Sequence, residues 1–397
     1  MHTRRERERL AELESLIAKN ADPALVKERD AILKAKRPVM VTQAVPPRTV
    51  RVLPRGNWLD ESGSVVEPAI PAFLGTVPVK GRATRLDLAN WLTDPKSGGG
   101  GLTSRVFVNR LWYLFFGAGL SRSLEDFGGQ GEPPTHPELL DQLAVDFASD
   151  WNVKRILKRI VMSRTYRQTS FVSESMFERD PENKLLARQG RWRLPAESIR
   201  DNALFASGLL VLDVGGSSAK PYQPAGYYRH LNFPVREYVS STDAKQWRRG
   251  VYVHWQRQYL HPMLKAFDAS TREECAAQRA RSNTPLAALV LLNDPTFIES
   301  ARGLAQRSIT AEKDDASRTA FAFRQATSRS PDDAERAVLL KLVERNRAAY
   351  KADAKAAADL LKIGLAPLPK EYDAAELAAW TAVCRAILNL SETIHRE

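Results

Sequence analysis

Thr103-Ser-Arg-Val-Phe-Val-Asn-Arg-Leu-Trp-Tyr-Leu-Phe-Phe116 and Ser123-Leu-Glu-Asp-Phe-Gly-Gly-Gln-Gly-Glu-Pro-Pro-Thr-His136 decide the reading of this chain. The first places apolar residues at helical spacing. The second is polar and rich in glycine and proline, and a further helical pattern follows it as far as Ser170. The loop carries Glu125, Asp126, Gln130 and His136 beside its glycines, so it is the best place in the chain to look for a ligand. It holds no complete catalytic constellation. Gly128-Gly129-Gln130-Gly131 follows Asp126 and leads to a helix start, where backbone N–H groups suit an anion; a tight turn that packs Phe127 is the simpler account.

Working outward, residues 4–36 read as a helical hairpin. Leu10, Leu13 and Ile17 share a face, and Asp22-Pro23 supplies an N-cap and a first-turn proline for the second helix. Seven prolines between Pro38 and Pro78 exclude a long helix, and Val39/Val41 and Val50/Val52 alternate as short extended edges do. From residue 84 helices dominate. Thr84-Arg-Leu-Asp87 and Thr135-His-Pro-Glu138 resemble capping boxes, and Asp180-Pro181, Thr284-Pro285, Asp294-Pro295 and Ser330-Pro331 each set a capping oxygen before a proline. The expected helices are 85–93, 104–116, 137–149, 153–163, 181–188, 196–210, 285–293, 296–308, 316–327, 332–352 and 373–391, with Gly98–Gly101 as a flexible linker. Residues 213–270 break the pattern with Gly215-Gly216, Pro221, Pro224, Gly226 and Pro234. Val251, Val253 and Trp255 then alternate like a strand. The predicted fold is mainly α: a multi-helix globular domain with a long irregular, partly β insertion and an N-terminal helical hairpin. Its parts are 1–37 (coiled-coil-like hairpin), 38–83 (extended Pro-rich strap) and 84–397 (main helical domain, insertion at 213–270).

The chain has 397 residues, 43% of them hydrophobic, enough for a substantial core. No run of about 18 apolar residues occurs, so no membrane span is expected, and the charged start Met1-His-Thr-Arg-Arg-Glu-Arg-Glu-Arg9 does not read as a secretory signal. The net charge of +12 has two readings: a GC-rich coding bias towards arginine, or a polyanion partner such as an acidic polysaccharide or nucleic acid. The basic residues are spread among acids, which favours the bias and makes nucleic acid an unfavoured partner. Cys275 and Cys384 form no zinc or haem pattern; one long-range disulfide or two free buried thiols are both open.

Six histidines (His2, His136, His230, His254, His261 and His395) include no i, i+4 pair, and no metal site is expected. No nucleophile elbow, phosphate loop or dinucleotide fingerprint is present. Glu125/Asp126 and Glu197/Asp201 are the carboxylate pairs that glycoside chemistry could use. Glu197 and Asp201 share a helix face near Arg193 and Arg200, so ion pairing is the simpler account. Trp112, Tyr113, Phe115 and Phe116 read as core, with Tyr113 at a rim. Tyr222, Tyr227, Tyr228 and Trp255, set among arginines, read as loop packing ahead of a stacking platform.

The ordered set Arg105-Val-Phe-Val-Asn-Arg-Leu-Trp112, Asp126-Phe-Gly-Gly-Gln-Gly131, Pro134-Thr-His-Pro-Glu-Leu-Leu-Asp141, Ser163-Arg-Thr-Tyr-Arg-Gln168, Arg193-Leu-Pro-Ala-Glu-Ser-Ile-Arg-Asp201, Phe267-Asp268 and Leu291-Leu-Asn-Asp294 resembles planctomycete-specific domain one, also called domain of unknown function fifteen-fifty-three. The likeness covers roughly residues 40–395 and assigns no activity. It implies long exported proteins, often with an upstream c-type cytochrome module and a companion domain. The expectation is therefore the carboxy-terminal part of such a protein or a split gene, periplasmic or in the cell envelope. No cofactor is expected in this chain, and any haem would sit on a separate or missing upstream module.

The leading functional expectation is an envelope-associated binding or scaffold domain for anionic polysaccharide or a partner redox module. Its groove would be lined by Arg105, Asn109, Asp126, Gln130, His136, Arg164, Arg167, Glu197 and Asp201, the arginines gripping carboxylate or sulfate. A carbohydrate hydrolase using Asp126 or Glu197 with His136 is the alternative, and charge-driven nucleic-acid binding the third.

Overall fold

The computed structural model describes residues 4–35, 40–96, 98–231, 234–368 and 371–396. About half of the chain is helical, and among the described residues the only sheet has two strands. The protein is mainly α. No helix among the described residues is long and apolar enough to cross a membrane. Two compact units are present: Met1–Asp87 with Asp213–Ser217, and Leu88–Leu212 with Ser218–Glu397.

In the first unit, α1 (Arg4–Lys19) and α2 (Pro23–Lys34) pack on each other. Asp22 accepts the Ala24 N–H, and Arg9 clamps both oxygens of Glu28 across the hairpin at 2.8 Å. Leu13 is buried. The 50–52 edge is extended and pairs antiparallel with 64–66 through Val52 N–H to Ser64 O and Val66 N–H to Val50 O; Val39 lies outside the described residues. Thr84 and Asp87 make the reciprocal cap expected for α3 (Arg85–Thr93).

The second unit has two cores. The first joins α4 (Gly98–Phe116), α5 (Pro137–Ala148) and α6 (Val153–Val161). Leu140, Leu143, Ala144 and Phe147 recur at the i, i+3, i+4, i+7 spacing that aims one face of α5 at Val108, Trp112 and Phe116 of α4. Trp112 and Phe116 stack at 4.2 Å. Next come α7 (Glu174–Arg179), the strand β1 (Trp192–Arg193) and α8 (Ala196–Ser207). The second core draws on α8, α9 (Pro262–Ala266), α10 (Pro285–Asn293), α11 (Pro295–Ala311), α12 (Asp315–Thr327), α13 (Asp333–Ala352), α14 (Ala354–Leu361) and α15 (Ala374–Leu388). Its centre is the fully buried Trp380 of α15, which packs on α11, α13 and α14. After α16 (Ser391–Ile394), β2 (His395–Arg396) pairs antiparallel with β1.

Several expectations are corrected. Gly98–Gly101 is the first turn of α4; the Trp91 indole lies so close to Gly99 that only a residue without Cβ fits. Residues 181–188 are not helical. The Asp180 carboxylate takes the Lys184 and Leu185 N–H groups at 2.8 and 2.7 Å, and Arg188 donates to the Asp180 and Pro181 carbonyls, closing a compact turn. The helix sits earlier, as α7, capped by Ser173. Pro331 follows no cap; Asp332 caps α13 with Glu335 in a capping box. Asp353 both ends α13 and caps α14, which hides the break from a periodicity reading. Cys384 is buried, whereas Cys275 is exposed, and both are free thiols.

Residues 249–255 are not a strand. Gly250–Tyr252 is a 3-10 turn, flanked by isolated parallel bridges Val211–Arg248 and Ala219–Val253. The reason is tertiary: Asp201 of α8 takes the Gly250 N–H at 2.5 Å, and the fully buried Arg200 donates to the Gln246 and Arg248 carbonyls at 2.5 Å each. These bonds outweigh the local alternation.

His261 packs in this region at 3% exposure, with Nε2 2.8 Å from the Tyr222 carbonyl oxygen. Burial pushes its pKa down to about 4, against the raising effect of that carbonyl. Burial also lowers His254. A histidine depressed by folding binds fewer protons folded than unfolded, so stability is full above the unfolded pKa near 6.5 and falls as pH drops towards the folded value. Between pH 7 and 5, where most carboxylates stay ionised, His261 should cost about 2 kcal/mol. Urea midpoints at the two pH values check this. His261→Gln should remove most of the drop, and an undiminished drop in that variant would refute the assignment.

Candidate anion-binding cleft

The 123–136 loop uses its polar groups on itself. The buried Asn109 amide donates to Ser121 O at 2.8 Å and accepts the Ser121 N–H at 3.0 Å. Ser123 Oγ donates to Asp126 O and accepts the Glu132 N–H, while Asp126 Oδ1 accepts the Gly128 N–H at 2.7 Å. A Cβ on Gly131 would lie 2.1 Å from Asp126 O, so the turn requires glycine there. Thr135 does not cap α5; its N–H and hydroxyl both donate to Leu120 O, and His136 stands at the N-cap with Nδ1 3.0 Å from Thr135 Oγ1.

The other expected site residues scatter. Arg105 pairs with Asp141 on the surface at 2.6 Å. Gln130, Arg164 and Arg167 are exposed. Asp201 anchors Gly250, and burial raises its carboxyl above the ordinary range against that N–H. Glu197 lines a large cleft, which the other eight do not line.

That cleft, about 650 Å³, lies within the second unit between the end of α4, residues 193–197 and residues 267–281. Its walls carry five arginines, Arg110, Arg193, Arg272, Arg279 and Arg281, against the carboxylates of Glu197, Asp268 and Glu274. Arg279 Nη1 donates to both Glu197 oxygens at 3.0 and 2.8 Å. Arg193, 5% exposed, donates through Nη2 to Phe267 O and to Asp268 Oδ2 at 2.6 Å. Burial raises Asp268, but the Ser282 N–H and hydroxyl and Arg193 outweigh it and hold the acid below its usual range.

The remaining positive charge is not neutralised by carboxylates among the described residues. Arg281 donates to Tyr113 Oη at 2.6 Å and sits 4.8 Å from that ring's centroid, and burial lowers its pKa. Arg272 stacks 3.8 Å from the Trp255 ring centroid. Arg110 makes no ion pair among the described residues. Arg193 Nε and Nη1 are buried with no acceptor among the described residues. Buried guanidinium donors without acceptors are costly, and an incoming anion would satisfy them. Glu197 and Asp268, by contrast, are already engaged, the first by Arg279 and the second by Arg193 and Ser282.

A family model described as PSD1, protein of unknown function (DUF1553), matches residues 84–343. The chain belongs to the PSD1 family. No curated protein and no solved structure matches the chain. The arginine cleft lies wholly inside the matched PSD1 span, whereas α14, α15 and Trp380 lie beyond it. Sequence reading missed Arg110, Arg272, Arg279 and Arg281. The available signal was the dense charge of Thr271-Arg-Glu-Glu-Cys-Ala-Ala-Gln-Arg-Ala-Arg281 just after the Phe267-Asp268 pair.

Proposed function

We propose that this PSD1 domain binds an anionic polysaccharide, gripping carboxylate or sulfate groups in the arginine cleft. The observation that carries this is the excess of guanidinium groups over carboxylates there, with Arg193 buried and holding free donors. Arginine's planar fork suits both anions, and the exposed Leu114 and Val251 supply an apolar surface for a sugar ring. The setting is the cell envelope, by family resemblance; a haem-bearing companion would be a neighbour of the domain and not the cleft's occupant.

The test is calorimetric titration with uronate and sulfated oligosaccharides at low salt. Binding should weaken as salt rises, as counter-ions screen the arginines. Arg281→Ala should weaken it by roughly 10- to 100-fold, the value of one or two charge-assisted hydrogen bonds. Neutral oligosaccharides binding equally well, or no binding at low salt, would remove the proposal.

A further inference from the structure

A second cleft of about 340 Å³ lies on the other side of a shared wall. Trp192 and Arg193 are successive residues of β1, and strand side chains alternate sides. Trp192 lines the second cleft, Arg193 the first. Gly117 belongs to the same wall: it packs on the Trp192 ring, and its carbonyl accepts from Arg281.

The second cleft differs chemically. Its floor is apolar, from Trp112, Phe116, Leu120 and Leu186. Four cationic side chains, Arg122, Lys184, Arg188 and Arg191, face one carboxylate, Glu182. Glu182 is occupied by Arg122 at 2.8 Å and Lys184 at 3.0 Å. Arg188 is 8% exposed; its Nη2 serves two backbone carbonyls, while its Nη1 is buried with no acceptor among the described residues. Arg191 is exposed and makes no ion pair among the described residues. An apolar floor under a buried, partly unsatisfied guanidinium selects a ligand with one acidic group on an apolar body.

We infer that this cleft is a separate binding site for a small organic carboxylate with an apolar ring. The volume suits one ring system better than a polymer. Its occupant does not depend on the polysaccharide reading, since the two sites take different ligands.

The experiment titrates the full chain with benzoate, with glucuronate as the polar-bodied comparison and acetate as the bodiless one. Benzoate should bind with a Kd near or below about 1 mM, and the other two about tenfold more weakly or worse. Arg191→Ala should weaken benzoate several-fold, and Ala118→Phe, at an exposed position lining the cleft, should block it. Arg188→Lys keeps a charge but loses the fork, and should cost about tenfold. If Arg188→Lys unfolds, the other two variants still decide the matter. Arg272→Ala, in the first cleft, should leave benzoate binding unchanged while weakening the polyanion. Benzoate failing to bind the folded chain at about 10 mM, binding no tighter than acetate or glucuronate, or binding Ala118→Phe as well as the parent would overturn the inference.

Discussion

Glu299→Ala should destabilise the second unit by about 4 kcal/mol, a large share of an ordinary total stability of about 5–15 kcal/mol. Glu299 is fully buried on α11. Its Oε2 accepts from Tyr222 Oη at 3.0 Å and Trp247 Nε1 at 2.9 Å, and its Oε1 accepts the Leu365 and Ala366 N–H groups at 2.6 and 2.5 Å. Arg302, also buried, lies 3.7 Å away. Removing the carboxylate strands the Tyr222, Trp247 and Ala366 donors and takes the anion away from Arg302, while the Leu365 N–H keeps Tyr222 Oη as an acceptor. The desolvation cost of those groups, more than any lost attraction, sets the size of the effect. Glu299→Gln keeps the volume and two acceptor lone pairs, so it should cost roughly half as much. Urea midpoints with an unchanged m-value are the measurement. A loss below about 1 kcal/mol in Glu299→Ala would mean that these donors find water or other partners, and that Glu299 is not the hub its geometry indicates.

Arg200→Met should cost about 3 kcal/mol and should do so locally. The Arg200 guanidinium is completely buried, pushed down to about 10 by that burial, and remains charged at neutral pH. Methionine relieves the cost of burying the charge but takes the Arg200 donors away from the Gln246 and Arg248 carbonyls. The protection of 244–253 against amide exchange should fall most. The two predictions are coupled, because Arg200 of α8 and Glu299 of α11 hold the same short segment, Gln246-Trp247-Arg248, from two sides. Once one grip is gone the other has less ordered structure to stabilise, so the double variant should cost less than the sum by about 1 kcal/mol. Strict additivity would show that the two anchors act independently.

Helices were readable wherever the local code was sufficient. Thr284 and Asp294 cap the helices they precede, accepting from Ala287 and Thr296, because a side-chain oxygen two or three residues from a free N–H needs no distant partner. The face of α5 was readable for the same local reason, since one period aligns its leucines with Phe147. Asp180-Pro181 misled because the same aspartate closes a turn onto Lys184 and Leu185, an equally local use of the same chemistry.

The site was far less legible. Polar residues are concentrated in the 123–136 loop, yet Ser123 and Asp126 are consumed in holding that loop's backbone, and Asn109 in holding Ser121 just before it. Arg193 and Glu197 sat in a quoted motif, but their partners Asp268 and Arg279 are 75 and 82 positions away. Composition and period thus determined a helical protein with an irregular insertion, because capping, proline geometry and amphipathic spacing act over a few residues. Which charges remain unneutralised was decided only by tertiary structure, because that depends on what long-range folding sets opposite each guanidinium.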